Sequence, residues 1–379
     1  MSVAASAEPV RVVAVGQTPP PHGGQAIAIE SFVKGSYEGI DVQHVRMAFS
    51  AEMGDIGRFQ AGKLLHLVSV IAQILWWRVR TGARVLYYPP AGPNLVPVAR
   101  DLVILLATRW AFDTTVFHFH AGGLSEIWPR LPRVLRRPFR AAYAHPDLAL
   151  QPSALNPPDG EFLRARSTMV VPNGVPDAAP SPSASGGRMG RPAILYVGVL
   201  REDKGILVLV DACGRLRERG VAFELRIMGA FESPGFEQRV RRAVQERGIG
   251  GQTELLGTRT GAEKASWFAS SDVFCNPTFF EAETFGLVVV EAMQFSLPVV
   301  ASRWRGIPSV VMDGESGLLV PPKDPEALAD ALQLLLDDAG RRERLGSRGR
   351  QLYLEHYTEE TYRANMESAL RSLDYQAPR

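Results

Sequence analysis

Short apolar runs alternate with helix-length segments along the chain, and this alternation limits the fold more than any other feature. A short apolar run that ends near glycine or proline is typical of a buried strand followed by a loop. Strands that alternate with helices favour an α/β fold with a parallel sheet and helical crossovers. The predicted strands are residues 11–16, 85–88, 114–119, 193–198, 223–229, 253–257, 272–277 and 298–301. The predicted helices are residues 26–34, 94–110, 205–218, 239–246, 325–335 and 359–373.

One stretch near the middle, residues 176–191, interrupts the alternation with proline, serine and glycine. This composition is typical of a linker. The chain has 379 residues, of which 46% are hydrophobic, and this is enough material for two domains with separate cores. We therefore predict a first domain over residues 1–175, a linker over residues 176–191 and a second domain over residues 192–358.

The composition argues against several classes of protein. There are 42 basic and 40 acidic residues, a net charge of +2, which does not favour a nucleic-acid-binding protein. Two cysteines, Cys213 and Cys275, are too few for a disulfide framework, so the cytoplasm is the expected compartment. No signal peptide is predicted. The longest apolar stretch, residues 64–77, is shorter than the roughly 20 residues that a membrane-spanning helix needs.

The small net charge is the sum of two unlike halves. Residues 1–172 carry 17 basic and 12 acidic side chains, a net charge of +5, and the remainder has a net charge of −3. The basic half concentrates arginines and aromatic residues between residues 127 and 145; the arginines are Arg130, Arg133, Arg136, Arg137 and Arg140. Such a segment, helped by residues 64–77, is suited to an anionic membrane surface. A solvated basic helix explains the arginines equally well, and a core helix is the favoured interpretation of residues 64–77.

A pair of glutamates in the second half gives the most specific functional signal. Residues 280–293 read FEAETFGLVVVEAM, with Glu283 in a predicted loop and Glu291 one turn into a predicted helix. The amides of Phe285, Gly286 and Leu287 would then lie at a helix N-terminus, which favours phosphate binding. Carboxylates beside an anion site can accept hydrogen bonds from sugar hydroxyls, so the pattern is suited to a nucleoside diphosphate sugar. The alternative is an ordinary loop-to-helix junction.

The same residues resemble the E-x7-E signature of family 4 glycosyltransferases, which are retaining enzymes of the GT-B fold. Further segments match the family in order: residues 171–175, 195–198, 204–205, 271–278, 297–302, 306–308 and 313–322. The resemblance implies two Rossmann-like domains that face each other across a cleft. The first would bind the acceptor and the second the nucleotide sugar, and the C-terminal helix, residues 359–379, would join the first domain.

The resemblance also implies roles for individual residues of the second domain. Glu283 would contact the hydroxyls of the donor sugar, Glu291 the ribose, and Lys204 the diphosphate that leaves. The family usually has an arginine directly after the strand glycine, where this chain has Val199. Arg201 is favoured as its replacement, and the alternative is that Arg201 is a surface charge.

The first domain contributes two candidate clusters. Gly23 and Gly24 follow the first strand, and the family has a glycine pair there that approaches the donor phosphates; the alternative is a plain turn, and His22 beside them is interpreted as incidental. His118 and His120 occupy the same face of a predicted strand. His120 matches a family histidine near the donor sugar, whereas His118 is interpreted as a core residue, and no third metal ligand is evident.

No Asp-x-Asp pair occurs in the chain, so neither a metal nor another cofactor is expected. The predicted function is retaining transfer of a hexose from a nucleotide sugar to a lipid-linked or growing glycan during cell-surface polysaccharide synthesis. The expected location is the cytoplasm. The membrane hypothesis adds peripheral binding to the inner face of the cell membrane. The alternatives are another GT-B activity, such as a sugar-nucleotide epimerase or a glycogen-type synthase, and a non-catalytic nucleotide-sugar-binding scaffold.

Overall fold

The computed structural model describes residues 9–20, 23–48, 61–179 and 190–373, with the side chains of residues 61–63 not described. The chain divides into two compact units. The first unit contains residues 1–173 and residues 360–379, and the second contains residues 174–359. Each unit has its own parallel sheet covered by helices on both faces.

The described part of the first unit contains a six-stranded sheet in which every pairing is parallel. The strands are β1 (Val10–Gly16), β2 (Ile40–Arg46), β3 (Val85–Tyr88), β4 (Thr114–His118), β5 (Leu148–Gln151) and β6 (Ser167–Val170). Their order across the sheet is β2-β1-β3-β4-β5-β6. The sequence predicted β1, β3 and β4. It did not predict β2, β5 and β6, because β2 and β6 are partly exposed edge strands with polar residues and β5 has only four residues.

Helices cover this first sheet on both faces. They are α1 (Gly24–Lys34), α2 (Ala61–Thr81), α3 (Leu95–Thr108), α4 (Leu124–Ile127), α5 (Arg133–Tyr143) and α6 (Asp159–Phe162). Helices α2, α3 and α5 pack on the face formed by Val13, Leu86 and Phe117. Helix α1 packs on the opposite face, which includes Val12 and Tyr87.

A buried carboxylate ties α3 and α5 to the sheet. Asp101 of α3 has no exposed surface, and its Oδ1 accepts a hydrogen bond from the Tyr88 hydroxyl at 2.7 Å. Its Oδ2 accepts from the Tyr143 hydroxyl at 3.0 Å and from the main-chain amide of Ala91 at 2.7 Å. The guanidinium of Arg100 lies 2.8 Å from Oδ1. A buried charge is tolerated when it is paired and hydrogen-bonded in this way, and burial raises the pKa of both tyrosines well above its usual range.

In the second unit, the described residues form another six-stranded parallel sheet. The strands are β7 (Ala193–Val197), β8 (Glu224–Met228), β9 (Thr253–Gly257), β10 (Val273–Asn276), β11 (Val299–Ser302) and β12 (Gly317–Val320). Their order is β12-β11-β10-β7-β8-β9, which is the Rossmann order of a dinucleotide-binding sheet. The sequence predicted all of these strands except β12.

The helices of the second unit are α7 (Ile206–Glu218), α8 (Pro234–Glu246), α9 (Gly261–Ala269), α10 (Leu287–Gln294), α11 (Pro325–Asp337) and α12 (Ala339–His356). Helix α8 begins five residues before its predicted start, because Ser233 caps it by accepting a hydrogen bond from the amide of Phe236 and proline is favourable in the first turn. Helix α12 was not predicted from the sequence; Asp338 caps it in the same way by accepting a hydrogen bond from the amide of Arg341.

The final helix, α13 (Glu359–Arg371), returns to the first unit from residue 360 onward. The Tyr362 hydroxyl donates to the main-chain oxygen of Ala28 at 3.2 Å. Met366 and Leu370 are buried in the same core as Phe32 of α1. Residues 374–379 of the predicted C-terminal helix lie outside the described residues.

The linker stretch, residues 176–191, begins inside the second unit. Asp177 forms an ion pair with Arg350 of α12, with 3.0 Å between Oδ1 and one guanidinium nitrogen. The amide of Ala178 donates to Gln294 at 2.7 Å. Residues 180–189 lie outside the described residues.

Gly205 connects a short 3₁₀ turn, Glu202–Lys204, to α7 and adopts a left-handed backbone with φ +79°. A Cβ at this position would overlap the carbonyl oxygen of Pro277, which follows β10. Gly220 has a similar φ of +76°, but a Cβ there would have no described atom within 4 Å. Position 205 therefore requires glycine for two reasons: its backbone is left-handed, and there is no space for a Cβ beside Pro277.

We expect Gly205→Ala to destabilise the second unit by more than Gly220→Ala. Both variants should lose about 1–2 kcal/mol from the left-handed backbone, and only Gly205→Ala also displaces the main chain at Pro277. Thermal unfolding followed by circular dichroism measures the difference. Equal midpoints for the two variants would show that the close approach to Pro277 has no energetic consequence.

Candidate active site

The candidate site of the second unit lies where the winding of its sheet reverses. From β7 the chain proceeds to β8 and β9 on one side, and then crosses to β10 and β11 on the other side. Open α/β sheets bind ligands outside the carboxyl ends of the two strands at such a point. Lys204 follows β7, and Glu283 and Gly286 follow β10, so the topology brings the predicted residues to this edge.

Lys204 and Glu283 form a direct ion pair. Lys204 Nζ lies 2.7 Å from Glu283 Oε2, and the two side chains are 23% and 14% exposed. The same Nζ lies 4.3 Å from the ring centroid of Phe280, within the range of a cation–π interaction. The Thr278 hydroxyl is a further neighbour of Glu283 Oε2, at 3.4 Å. The structure thus gathers a cation, a carboxylate and an aromatic ring into one partly buried cluster.

Arg201 lies beside this cluster. Its guanidinium contacts both carboxylate oxygens of Asp203 at 2.7 and 2.8 Å and lies 3.8 Å from Glu232. It is also 5.1 Å from the ring centroid of Phe280, the ring that Lys204 contacts. Arg201 is therefore close to Lys204, and its charge is shared with two acidic neighbours.

Helix α10 begins at the same edge of the sheet. Gly286 precedes its first residue and adopts a left-handed backbone with φ +78°; a Cβ there would overlap the side chain of Ile307. Within the described ranges, the amides of Phe285, Gly286 and Leu287 donate no main-chain hydrogen bond. Such amides at a helix N-terminus carry partial positive charge and can bind an anion.

Glu291 lies one turn into α10, as predicted, and Lys264 of α9 is its partner. Lys264 Nζ is 2.7 Å from Oε1 and 2.8 Å from Oε2, and the side chains are 23% and 17% exposed. Lys264 was not predicted as a site residue, because nothing in the local sequence pattern links a lysine to a glutamate 27 residues further on. The site therefore holds two lysine–glutamate pairs.

The histidine cluster of the first unit lies at the carboxyl end of β4. His118 is the last residue of the strand and has no exposed surface, and His120 is 8% exposed. Their ring centroids are 3.8 Å apart, and both rings contact the Tyr87 hydroxyl, at 2.8 Å for His118 Nδ1 and 3.2 Å for His120 Nε2. Burial lowers the pKa of His120 to about 3 and that of His118 well below its usual range. Both rings are therefore neutral near pH 7.

Gly23 and Gly24 lie at the start of α1, after β1. Gly23 has an extended backbone, with φ −114° and ψ 159°, and its carbonyl accepts a hydrogen bond from the amide of Ile27. A Cβ at Gly23 would meet no described atom within 4 Å. The described packing therefore does not require a glycine at position 23. His22 lies outside the described residues.

The arginine segment is divided between two environments. Arg136 and Arg140 of α5 lie 5.4 and 4.9 Å from the ring centroid of Trp128, so they form cation–π interactions with one side chain. Arg140 is nevertheless exposed, as are Arg133 and Arg137 of α5 and Arg130, which ends a 3₁₀ turn before the helix.

Helices α2 and α3 of the first unit expose apolar side chains as well as burying them. Val70 and Ile74 of α2 are fully buried, which agrees with a core helix over residues 64–77. The opposite side of α2 exposes Leu65, Val68, Trp76 and Val79. Helix α3 exposes Val96, Val103 and Leu106, and the 3₁₀ turn after it exposes Trp110; the exposed fractions of these side chains range from 44% to 83%. Residues at such spacings lie on one side of a helix. No helix in the described ranges is long and apolar enough to cross a membrane.

Comparison with known proteins identifies the class of the second unit. Residues 181–352 match the family described as glycosyl transferases group 1. This segment covers most of the second unit and less than half of the chain, and the match agrees with the glycosyltransferase resemblance that the sequence indicated. The likeness to solved structures confirms the GT-B fold class, two Rossmann-like domains.

Three similar proteins illustrate the match. D-inositol 3-phosphate glycosyltransferase of Paenarthrobacter aurescens is 36% identical over 155 residues, 40% of this chain and 37% of that protein. Phosphatidyl-myo-inositol mannosyltransferase of Mycobacterium leprae is 38% identical over 183 residues, 47% of each chain. The match thus spans less than half of these relatives. The structure of Anabaena HepE in complex with UDP covers 96% of this chain and 100% of its own, with a TM-score of 0.73 and 17% identity.

Because His118 and His120 are buried and neutral, we expect the stability of the first unit to fall at acidic pH. Because the native pKa of His120 is depressed, the unfolded chain binds a proton that the native state does not. Stability is therefore full above the unfolded pKa of about 6.5 and falls as the pH drops toward 3. We expect His120→Gln to reduce the loss in unfolding midpoint between about pH 7.5 and about pH 5.

The exposed residue His356 provides the matched substitution, His356→Gln, which also removes one histidine but leaves the buried cluster intact. Differential scanning calorimetry over the pH series makes the measurement. If His120→Gln retained the whole wild-type slope, the ring of His120 would be accessible to protons in the native state.

Proposed function

We propose that this protein is a retaining glycosyltransferase that moves a hexose from a nucleoside diphosphate sugar to an acceptor. The observation that carries the proposal is the juxtaposition of Lys204, Glu283 and the start of α10 at the reversal point of the second sheet. The match of residues 181–352 to glycosyl transferases group 1 supports it. The fold shared with a protein crystallised with UDP also supports it.

In the proposed donor site, different groups would contact different parts of the nucleotide sugar. The amides of Phe285, Gly286 and Leu287 and the ammonium of Lys204 would bind the diphosphate. Glu283 would accept hydrogen bonds from the sugar, and Glu291 from the ribose. Positive groups aimed at the leaving diphosphate stabilise the charge that develops as the glycosidic bond breaks. In this proposal the lysine and the helix N-terminus supply that charge, and no metal takes part.

The ion pair between Lys204 and Glu283 fits this division. Lys204 and Glu283 neutralise each other at 2.7 Å, so neither is an isolated charge in a partly buried place. A donor would offer its phosphates to the lysine and its hydroxyls to the carboxylate at the same time. The exchange replaces one charged pair by two charge-assisted sets of hydrogen bonds. Lys264, 2.7 and 2.8 Å from the two carboxylate oxygens of Glu291, would likewise orient that carboxylate toward a ribose.

Retention of configuration would follow a front-face route, in which the leaving phosphate accepts the proton of the acceptor hydroxyl. Among the residues predicted for the site, no carboxylate is assigned as a covalent nucleophile. The first unit would bind the acceptor, with His120 and the Gly23–Gly24 turn beside the transferred sugar. Arg201, close to Lys204, would add positive charge in place of the arginine that the family has at Val199.

The acceptor we propose is lipid-linked and presented at an anionic membrane surface, as in cell-surface polysaccharide synthesis. The exposed arginines of α5 and the exposed apolar sides of α2 and α3 support this proposal. Helix α3 packs between α2 and α5, so the three helices share one face of the first sheet. Tryptophan, aliphatic side chains and arginine together are suited to the headgroup region of a bilayer. The protein would then work in the cytoplasm on the inner face of the membrane.

Glu283→Gln should lower the rate of sugar transfer by at least about a hundredfold, because the site loses a charged acceptor for the sugar hydroxyls. The assay incubates the protein with labelled nucleotide sugars and lipid-linked acceptors and follows label in the acceptor. Glu281→Gln, which changes an exposed carboxylate two residues earlier, should retain wild-type activity. Full activity of Glu283→Gln would refute the site. Conversion of the donor sugar without any acceptor would indicate an epimerase.

Replacing Arg133, Arg137 and Arg140 together by glutamine should weaken binding to anionic vesicles roughly a hundredfold, since each arginine contributes about 1 kcal/mol near such a surface. Co-sedimentation with vesicles of phosphatidylcholine and phosphatidylglycerol measures the change. The control replaces Arg239, Arg241 and Arg242, three exposed arginines of α8 in the second unit. An equal loss from both triple variants would mean that net charge alone, and not the α5 surface, determines the binding.

A further inference from the structure

A cavity of about 370 Å³ lies in the first unit, beside the ends of α5 and α6. Its lining includes His145, which precedes β5, and Arg164, which precedes β6. The cavity is therefore at the amino edge of the first sheet, whereas His120 follows the carboxyl end of β4. Because all strands of this sheet are parallel, these are opposite edges. The cavity is thus separate from the histidine cluster, and its volume lies within the roughly 300–1,000 Å³ of small-molecule sites.

Three aromatic rings in mutual contact line part of this cavity. The ring centroids of Trp128 and Phe139 are 5.5 Å apart, and those of Trp128 and Phe162 are 6.0 Å apart. The rings of Phe139 and Phe162 are 6.4 Å apart. Phe139 is buried and Phe162 is 37% exposed, so the cluster extends from the core to the surface. Packed aromatic rings of this kind form an apolar wall that suits the apolar part of a ligand.

The charged and polar side chains that line the cavity are all basic or imidazole groups. Arg140, His145 and Arg164 line it, and all three are exposed. No acidic side chain is among the described residues of the lining. Arg140 lies 4.9 Å from the ring centroid of Trp128. Within the described ranges, neither Arg140 nor Arg164 forms an ion pair, so two guanidinium groups are available to an anion.

His145 and Arg164 also share an uncommon backbone conformation. Their φ angles are +55° and +57°, in the left-handed region that favours glycine. The amide of His145 donates to the carbonyl of Leu163 at 2.7 Å, and its carbonyl accepts from the guanidinium of Arg109 at 2.8 Å. Glycine would adopt this backbone at a lower cost, yet both positions carry a side chain that lines the cavity. Strain that is kept at such positions indicates a function for the side chains.

We propose that this cavity is a second ligand site of the first unit, and that it binds a phosphate group attached to an apolar moiety. Arg140 and Arg164 form charge-assisted hydrogen bonds with the phosphate, and the imidazole of His145 donates a third. A phosphate suits the site because it offers several acceptor oxygens at once. The apolar moiety lies against the aromatic wall. This proposal does not depend on the proposed glycosyltransferase function.

Calorimetric titration of the whole protein tests the ligand class. The probe is phosphatidic acid with six-carbon acyl chains, kept below the concentration at which it forms micelles, and we expect saturable binding. Inorganic phosphate lacks the apolar part, and phosphatidylcholine with the same chains lacks the net negative charge. Each should therefore bind at least about tenfold more weakly. Equal binding of either compound, or no saturable binding of the phosphatidic acid, would overturn the proposal.

Glycine substitutions separate binding from folding. Because glycine suits a left-handed backbone, Arg164→Gly and His145→Gly should keep an unfolding midpoint no lower than that of the wild type. Arg164→Gly should weaken binding of the phosphatidic acid at least about tenfold, and His145→Gly about fivefold. Arg140→Gln leaves the backbone unchanged and should weaken binding about as much as Arg164→Gly.

Lys323→Gly is the matched control for these variants. Lys323 is also an exposed basic residue with a left-handed backbone, with φ +62°, but it belongs to the second unit. This variant should bind the phosphatidic acid as the wild type does. Wild-type affinity in Arg164→Gly and Arg140→Gln, or an equal loss in Lys323→Gly, would show that the ligand does not bind in this cavity.

Phospholipids and soluble phosphate esters share the proposed chemistry, and vesicles distinguish these two sources. The wild type and Arg164→Gly are sedimented with phosphatidylcholine vesicles that contain phosphatidic acid. For a membrane lipid, the variant should lose binding both to these vesicles and to the short-chain probe. For a soluble ester, it should lose binding to the probe alone. Unchanged binding of the variant to both would overturn the proposal.

Discussion

Parallel pairing within each sheet is the constraint on which the rest of the structure depends. Because all strands of a parallel sheet point the same way, their carboxyl ends meet at one edge. In the second unit the chain reverses its direction of winding between β7 and β10, and this leaves an opening at that edge. Lys204 and Glu283, 79 residues apart in sequence, approach to 2.7 Å there. Gly205 lets the start of α7 lie close to the segment after β10, since a side chain at this position would overlap the main chain of Pro277.

The electrostatics of the site follow from the close approach of charged side chains at this edge of the sheet. The described site contains two lysines and the N-terminus of α10 as positive groups. Each lysine is paired with a glutamate, so the site has little unbalanced charge. Under the proposed function the same carboxylates would accept hydrogen bonds from the sugar and ribose hydroxyls, and the lysine and the helix N-terminus would contact the diphosphate.

The first unit also contains a parallel sheet, but it differs from the second in its surface and in its buried polar groups. One face of its sheet is covered by α2, α3 and α5, which bury one side and leave apolar and basic side chains on the other. The buried Asp101 holds α3 and α5 on the sheet through hydrogen bonds with two tyrosines. At the carboxyl end of β4, burial keeps two histidines neutral. An exposed apolar and basic surface and a desolvated polar cluster therefore coexist in one domain.

The sequence by itself determined the class of fold and the main candidates for the second unit. Apolar runs of strand length fix where β1, β3, β4 and most strands after β7 form, because a buried strand requires them. Partly exposed edge strands such as β2 and β6 lack that signal and were missed. The spacing of Glu283 and Glu291 also placed one in a loop and the other in a helix, as the structure has them. The tertiary structure alone decided which charges meet, including the pairing of Lys264 with Glu291. It also decided that both histidines are neutral and share the Tyr87 hydroxyl. Such features depend on the distances between side chains in the folded protein and on the burial of those side chains from water. The order of residues along the chain does not specify either quantity.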